Sequence, residues 1–160
     1  MMKQITEQEA YLRLAALCAH AEHCQYEMQE KMRRWELSEA LQAKVMQRLV
    51  SERYVDDERY ARAFVKDKVR YNKWGRRKVE QALWAKHIDE DIRQRVLDEV
   101  DDEEYITVLR PLLQQKRKST KANSDYELNG KLIKFAMSRG FTMDIIKQCI
   151  NVTDEDEFLD

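Results

Sequence analysis

The apolar positions of this sequence recur at a nearly fixed interval, and that repetition is its strongest signal. The first set consists of Met28, Met32, Leu37, Leu41, Val45 and Met46. Adding 51 to each number gives a second apolar set, Val79, Leu83, Ile88, Ile92, Val96 and Leu97. A further 53 gives a third, Leu132, Ala136, Phe141, Ile145, Cys149 and Ile150. A period of this size is typical of repeat proteins, in which each copy is one small structural unit.

The spacing inside each copy predicts a pair of helices. Steps of four place side chains on one face of an α-helix, and the single step of five marks the turn between two helices. Ser38, Asp89 and Thr142 lie at that turn, and all three residue types are good helix N-caps. Gly140 is suited to ending the preceding helix of the third copy, since glycine readily adopts a left-handed backbone.

A further amphipathic segment precedes each pair and predicts a third helix per copy. These segments cover residues 9–21, 57–71 and 103–115, and apolar residues recur in each at helical spacing. Pro111 lies inside the last of them, so we expect that helix to kink or to begin afresh there. Residues 116–125, with the sequence KRKSTKANSD, are polar and basic and predict an exposed loop.

The predicted fold is therefore all-α, with three tandem three-helix repeats at residues 5–54, 55–100 and 101–152 and an acidic tail at 153–160 that we expect to be frayed. Asp56 and Asp57 are expected to cap the first helix of the second repeat. The composition agrees, because only 3 of the 160 residues are glycine and 1 is proline. A unit of about 45 to 50 residues buries little apolar surface alone, so we expect the repeats to stack into an elongated, curved array.

Basic and acidic residues are unevenly distributed along the chain. The 29 basic and 30 acidic residues nearly cancel, yet residues 59–86 hold ten bases against two acids, and residues 87–104 hold nine acids against two bases. Such a local field attracts charged partners even when the net charge is small. The third repeat adds a second basic zone around residues 116–139. Whether the two basic zones share a face depends on how the repeats rotate against each other.

The densest basic segment, residues 70–78 with the sequence RYNKWGRRK, interleaves aromatic side chains with cations. Such a segment suits nucleic acid, because rings stack on bases while cations meet phosphates, and it equally suits an acidic protein groove. The structural alternative is a solvated helix start with Trp74 packed on its own core. The candidate binding residues are Lys66, Arg70, Lys73, Trp74, Arg76, Arg77 and Lys78, followed by Lys116, Arg117, Lys118, Lys121, Lys131 and Lys134.

The sequence contains no recognisable catalytic constellation. His20, His23 and His87 are not paired with a nucleophile motif, and the glycines form no phosphate-binding loop. The number of cysteines, three, is odd, and their spacing does not match that of metal ligands. Both observations favour a reducing cellular compartment over a disulfide-bonded protein. We therefore expect that the chain is not an enzyme and that it binds no cofactor, no metal and no small-molecule substrate. Charged residues interrupt residues 1–17, so we expect neither a signal peptide nor a membrane span there. We also expect the protein to be a monomer and to lie in the cytoplasm.

Two segments resemble the signatures of the RecX family. Residues 49–65, LVSERYVDDERYARAFV, are similar to its first signature, in which an apolar residue and two aspartates lead into an Arg-aromatic-Ala helix. Residues 74–83, WGRRKVEQAL, look like its second, a glycine before a basic amphipathic helix. The resemblance extends over roughly residues 8 to 151 and implies the same three tandem units. It implies that Arg76 and Lys78 are candidates for contact and that the following residues are structural: Asp56, Asp57, Arg59, Tyr60, Ala61 and Gly75.

The resemblance also implies a function. RecX proteins regulate the RecA recombinase in DNA repair, homologous recombination and the SOS response, binding the RecA filament on DNA and typically inhibiting strand exchange, ATPase and coprotease activity. We therefore expect the RecA filament and single- or double-stranded DNA as partners. A stand-alone DNA-binding helical-repeat module and an adaptor for another protein are the alternatives. The chain departs from the family where a glycine often ends the second helix, because it has Trp35 or Glu36 in the first repeat and His87 in the second.

Overall fold

The computed structural model describes residues 4–150, and within that range all regular structure is helical. This confirms the predicted all-α repeat fold. The helices of this range are α1 Glu7–His20, α2 Gln25–Arg34, α3 Glu39–Ser51, α4 Asp57–Arg70, α5 Arg76–Ala85, α6 Glu90–Asp98, α7 Asp102–Ser119, α8 Asp125–Ser138 and α9 Met143–Cys149. The predicted acidic tail lies outside the described residues. None of the helices in residues 4–150 has both the length and the apolar composition needed to cross a bilayer.

The described residues form two compact units. The first unit consists of residues 4–64 with 83–93, and the second consists of residues 65–82 with 94–150. Helices α1 to α3 lie in the first unit and helices α7 to α9 in the second, while the residues of α4, α5 and α6 are divided between them. The boundaries of the three sequence repeats, and their curvature as an array, stay predictions.

The second helix of each repeat ends in the same hydrogen-bonded turn. In each case the amide of an apolar residue donates to the carbonyl five positions earlier, which is the longer hydrogen bond of a Schellman motif. These bonds measure 3.2 Å from Leu37 to Met32, 3.2 Å from Ile88 to Leu83, and 3.1 Å from Phe141 to Ala136. Met32, Leu83 and Ala136 are all fully buried. The positions matched by the sequence period therefore occupy equivalent environments.

The residue before each of these apolar amides has a left-handed backbone. Its φ angle is 58° at Glu36, 59° at His87 and 93° at Gly140. For an L-residue this conformation costs about 1 kcal/mol, whereas glycine adopts it freely. In two of the three repeats the chain thus keeps the turn without the glycine that favours it. At the third, a Cβ on Gly140 would lie 2.5 Å from the backbone nitrogen of Lys78, so glycine is needed there for space as well.

Helix α7 is longer than predicted. It continues without a break through Pro111 to Ser119, so the expected restart at the proline is wrong. Buried residues on both sides of the proline, Ile106 and Leu113 among them, hold the helix against its neighbours, and this packing outweighs one missing backbone hydrogen bond. The predicted loop over 116–125 is likewise too long, since residues 116–119 are helical and only 120–124 connect to α8. Cations in the last helical turn are favoured by the helix dipole, which explains the extension.

The predicted helix caps are confirmed at Ser38 and Asp56, whereas Thr142 precedes α9 without a capping hydrogen bond from its side chain. The Ser38 hydroxyl accepts from the backbone N–H of Leu41 at 3.3 Å, and the Asp56 carboxylate accepts from that of Arg59 at 3.0 Å. Asp57 differs, because its carboxylate accepts from the backbone N–H of Gln25 at 2.8 Å and so caps α2 instead of its own helix. Both residues lie in the first compact unit. The second aspartate of the pair therefore joins two distant parts of the chain.

The left-handed turn of the first repeat gives a direct test. We expect Glu36→Gly to raise the free energy of unfolding by roughly 0.5–1 kcal/mol, because glycine removes the steric cost of the positive φ angle. Gly140→Ala should lower it, because the added Cβ collides with Lys78. Urea unfolding followed by circular dichroism measures both changes. A destabilised Glu36→Gly variant would contradict the interpretation.

The long-range cap gives a second test. Removing the carboxylate with Asp57→Ala should cost about 1–2 kcal/mol, since the first turn of α2 loses its acceptor. Asp67→Ala is the matched control, because Asp67 is an exposed aspartate on the same helix that caps nothing among the described residues. Thermal unfolding of the two variants compares them. Equal effects of the two substitutions would show that the cap contributes nothing.

Candidate binding surface

The structure brings all thirteen candidate binding residues into the second compact unit. They come from the end of α4, the α4–α5 loop, the start of α5, the end of α7, the α7–α8 loop and α8. Trp74, Arg76 and Lys78 are half-buried. The exposed members are Lys66, Arg70, Lys73, Arg77, Lys116, Arg117, Lys118, Lys121, Lys131 and Lys134.

Two backbone segments cross at the centre of this unit. The N–H of Gly75 donates to the carbonyl of Arg139 at 2.8 Å, and the N–H of Arg77 donates to the carbonyl of Gly140 at 3.0 Å. A Cβ on Gly75 would lie 2.3 Å from the backbone nitrogen of Phe141, so no other residue permits this approach. The beginning of α5 is thereby fixed against the end of α8. This contact gives the second sequence signature its physical reason for a glycine.

The crossing joins the two basic zones through Arg139. Its guanidinium donates to the carbonyl of Asn72 at 3.5 Å and also lies 5.5 Å from the centre of the Phe135 ring. The Lys116 ammonium lies 5.0 Å from the same ring. A chain of contacts thus runs from the α4–α5 loop to the end of α7. The basic ends of the two zones adjoin, which the sequence left open.

The two aromatic residues of the basic segment differ in their surroundings. The Trp74 ring lies between two ammonium groups, at 5.3 Å from Lys68 and 4.7 Å from Lys78. Such cation–π contacts occupy the faces of the ring. Tyr71 is 78% exposed. Tyr71 is therefore the better platform for stacking on a base, although it was not among the candidate binding residues.

Arg76 is held inside the second unit. Its guanidinium donates to the Asp98 carboxylate at 2.7 Å and to the Gln94 side chain at 3.1 Å, and Gln94 in turn donates to Glu80 at 2.8 Å. Asp98 therefore balances the charge of Arg76. Arg77, the next residue, is exposed. Of this pair, Arg77 has the more solvent-accessible side chain.

The first sequence signature lies in the first compact unit. The Arg59 guanidinium donates to both carboxylate oxygens of Glu22, at 2.8 and 2.9 Å, and also to the carbonyls of Arg53 and Tyr54 at the end of α3. Ala61 is fully buried, and Tyr60 is 7% exposed. Burial raises the pKa of the Tyr60 phenol. With the caps at Asp56 and Asp57, these contacts place the signature inside the fold of the first unit.

Two cations that the sequence did not single out lie beside Arg117. Arg110 on α7 and Lys147 on α9 line the same groove as Arg117. Arg110 precedes the basic run by six residues, and Lys147 is the single basic residue in the sequence of α9. The spacing of seven between Arg110 and Arg117 places both on one face of a helix and is a sequence signal for Arg110, whereas Lys147 has none.

The glycine crossing gives a third test. We expect Gly75→Ala to lower the free energy of unfolding by about 1–3 kcal/mol, because its Cβ forces two backbones apart. Arg77→Ala is the control two residues later, where the exposed side chain leaves room and the change should stay within about 0.5 kcal/mol. Urea unfolding measures both. If Gly75→Ala unfolded at the same urea concentration as Arg77→Ala, the close approach would have no energetic weight.

Comparison with protein families gives matches to two segments of the chain. The family model described as "RecX, second three-helix domain" matches residues 56–97, and "RecX, third three-helix domain" matches residues 102–150. Among individual sequences, a regulatory protein RecX from Bacillus cytotoxicus is 25% identical over 150 residues, and one from Bacillus mycoides is 24% identical over 143 residues. These matches cover 94% and 89% of this chain but 56% and 53% of the relatives. The chain therefore spans about half the length of these relatives.

Solved structures share the fold. The crystal structure of RecX from Lactobacillus salivarius matches with a TM-score of 0.81 and 19% identity, covering 89% of this chain and 93% of that one. A second crystal structure, of a regulatory protein RecX, matches with a TM-score of 0.82 and 16% identity over 89% and 70% of the two chains. At sequence identities of 19% and 16%, these matches show a shared fold and nothing further.

Proposed function

The chain belongs to the RecX family, and on that premise we propose that it binds the RecA filament on DNA and lowers the recombinase, ATPase and coprotease activities of RecA. The observation that carries this proposal is the surface of the second compact unit. There the Gly75–Gly140 crossing joins two basic zones beside the exposed ring of Tyr71. A filament on DNA offers phosphates and carboxylates in a regular array, which such a surface suits.

The physical basis of binding is the release of counterions. Exposed lysine and arginine side chains that meet phosphates displace condensed cations, so affinity falls steeply as salt rises. The net charge of the chain is only −1, so attraction depends on contact with the basic surface and much less on the overall charge. We propose that the protein acts by occupying the filament, without catalysis, as a monomer in the cytoplasm.

The second candidate function is stand-alone binding of DNA. Tyr71 favours it, because an exposed ring among cations is a stacking platform for single-stranded bases. The two functions separate when affinity for a single-stranded oligonucleotide is measured with and without RecA, at several salt concentrations. A regulator of the filament binds the RecA complex more tightly than bare DNA. A DNA-binding module binds both alike.

Charge reversal on the basic surface tests the leading proposal. We expect Arg77→Glu/Lys134→Glu, with one substitution in each basic zone, to need at least about tenfold more protein to inhibit RecA ATPase on single-stranded DNA. Both residues are exposed, and Glu at the start of α5 is favoured by the helix dipole. Loss of inhibition should therefore not reflect unfolding.

The matched control is Arg34→Glu/Lys44→Glu. It changes the net charge by the same amount at two exposed residues of the first compact unit. We expect this variant to inhibit RecA as the unchanged chain does. Equal inhibition by both double variants would exclude the basic surface as the site of action, and absence of any inhibition by the unchanged chain would exclude the proposed function.

A further inference from the structure

A groove between α7 and α9 in the second compact unit has the form of an anion site. Its volume is ≈ 390 Å³, and three cations line it: Arg110 and Arg117 from α7 and Lys147 from α9. Leu113, which is 2% exposed, contributes an apolar side chain, and Ile150 lines the groove as well. None of the described residues that line it carries a carboxylate. The groove therefore combines positive charge on both helices with an apolar base.

The two arginines are positioned by neighbouring groups. The Arg110 guanidinium donates to the carbonyl of Gln148 at 3.1 Å, which ties α7 to the end of α9. The Arg117 guanidinium donates to the side-chain oxygen of Asn129 at 3.3 Å. A guanidinium has five N–H donors, so each retains donors for a carboxylate, with which it forms paired hydrogen bonds. Two guanidinium groups that lie two helical turns apart on α7 suit a ligand that presents several carboxylates in a row.

The sequence itself supplies that ligand next to the groove. Ile150 lines the groove and directly precedes residues 151–160 in the chain, so that segment is covalently attached next to the groove. Those ten residues contain five carboxylates and neither lysine nor arginine. Ten residues extend to about 33 Å, whereas Arg110 and Arg117 are about 10 Å apart along the helix axis. A tethered segment also has a local concentration in the millimolar range, which favours it over an external anion.

We propose that this groove binds the acidic segment 151–160 of the same chain through Arg110, Arg117 and Lys147. Bound there, the segment covers Arg117 and adds negative charge beside Lys116 and Lys118. A polyanion that approaches the end of α7 must then displace it. That consequence rests on the proposed function, whereas the binding of the segment in the groove does not.

A peptide-binding experiment tests the proposal without RecA. The probe is a fluorescent synthetic peptide with the sequence of residues 151–160, titrated with the full chain and followed by anisotropy at low salt. In one variant the five carboxylates of the segment become amides by Asp154→Asn, Glu155→Gln, Asp156→Asn, Glu157→Gln and Asp160→Asn. We expect this variant to bind the peptide at least about tenfold more tightly than the unchanged chain, whose own segment fills the groove.

Groove variants in the amide background locate the binding. Arg110→Glu/Arg117→Glu should abolish peptide binding, and Lys147→Glu alone should weaken it. Arg34→Glu/Lys44→Glu should have no effect, although it changes the net charge by the same amount as the double groove variant. Circular dichroism melts confirm folding, and the single Lys147→Glu variant carries the test if the double one unfolds.

Three results would overturn the proposal. One is equal peptide affinity of the unchanged and amide chains. Another is peptide binding that survives Lys147→Glu and the double groove variant together. The third is equal affinity of the unchanged and amide chains for a ten-nucleotide thymidine strand that binds through Arg110 and Arg117. That result would assign the groove to an external polyanion. Since RecA is absent from the assay, these results leave the proposed function to its own test.

Discussion

The left-handed turn that ends the second helix of each repeat is the constraint on which the rest of this structure depends. It reverses the chain within two residues and directs an apolar side chain, such as Phe141, into the core. The same turn exposes the carbonyl of Gly140, which accepts a hydrogen bond from the amide of Arg77. One turn thus closes a helical core and also fixes the start of α5. The position of the basic segment therefore depends on a backbone contact.

The sequence period predicted the cores well because burial is a local property of each helix face. Met32, Leu83 and Ala136 are matched in sequence and are equally buried, since each precedes the same turn by the same number of residues. Helix ends were predicted less well. The length of α7 depends on packing around Ile106 and Leu113, and a scan for proline and polar residues does not include that packing.

Partners distant in sequence were not predictable from periodicity. Asp57 has the sequence context of a cap for α4, yet its carboxylate binds the amide of Gln25, 32 residues earlier. Arg76 and Arg77 are neighbours of the same type, and only the fold decides that one of them pairs with Asp98. The sequence therefore identifies the basic segment as a region, and its role in binding stays a prediction. Which of its cations are exposed depends on contacts within the second unit, between the start of α5 and the end of α6.

Because the net charge of the chain is close to zero, we expect short-range contacts at the basic surface to determine the strength of binding. Beyond about 8–10 Å in physiological salt, mobile ions largely screen the field of the exposed charges. A partner therefore experiences the basic surface mainly at contact range, where the arrangement of individual side chains sets the interaction energy. That arrangement is held by the crossing at Gly75 and Gly140 and by the ring contacts of Arg139 and Lys116 on Phe135. Under the proposed function, affinity consequently depends on the fold of one compact unit, because the backbone crossing positions the cations that bind.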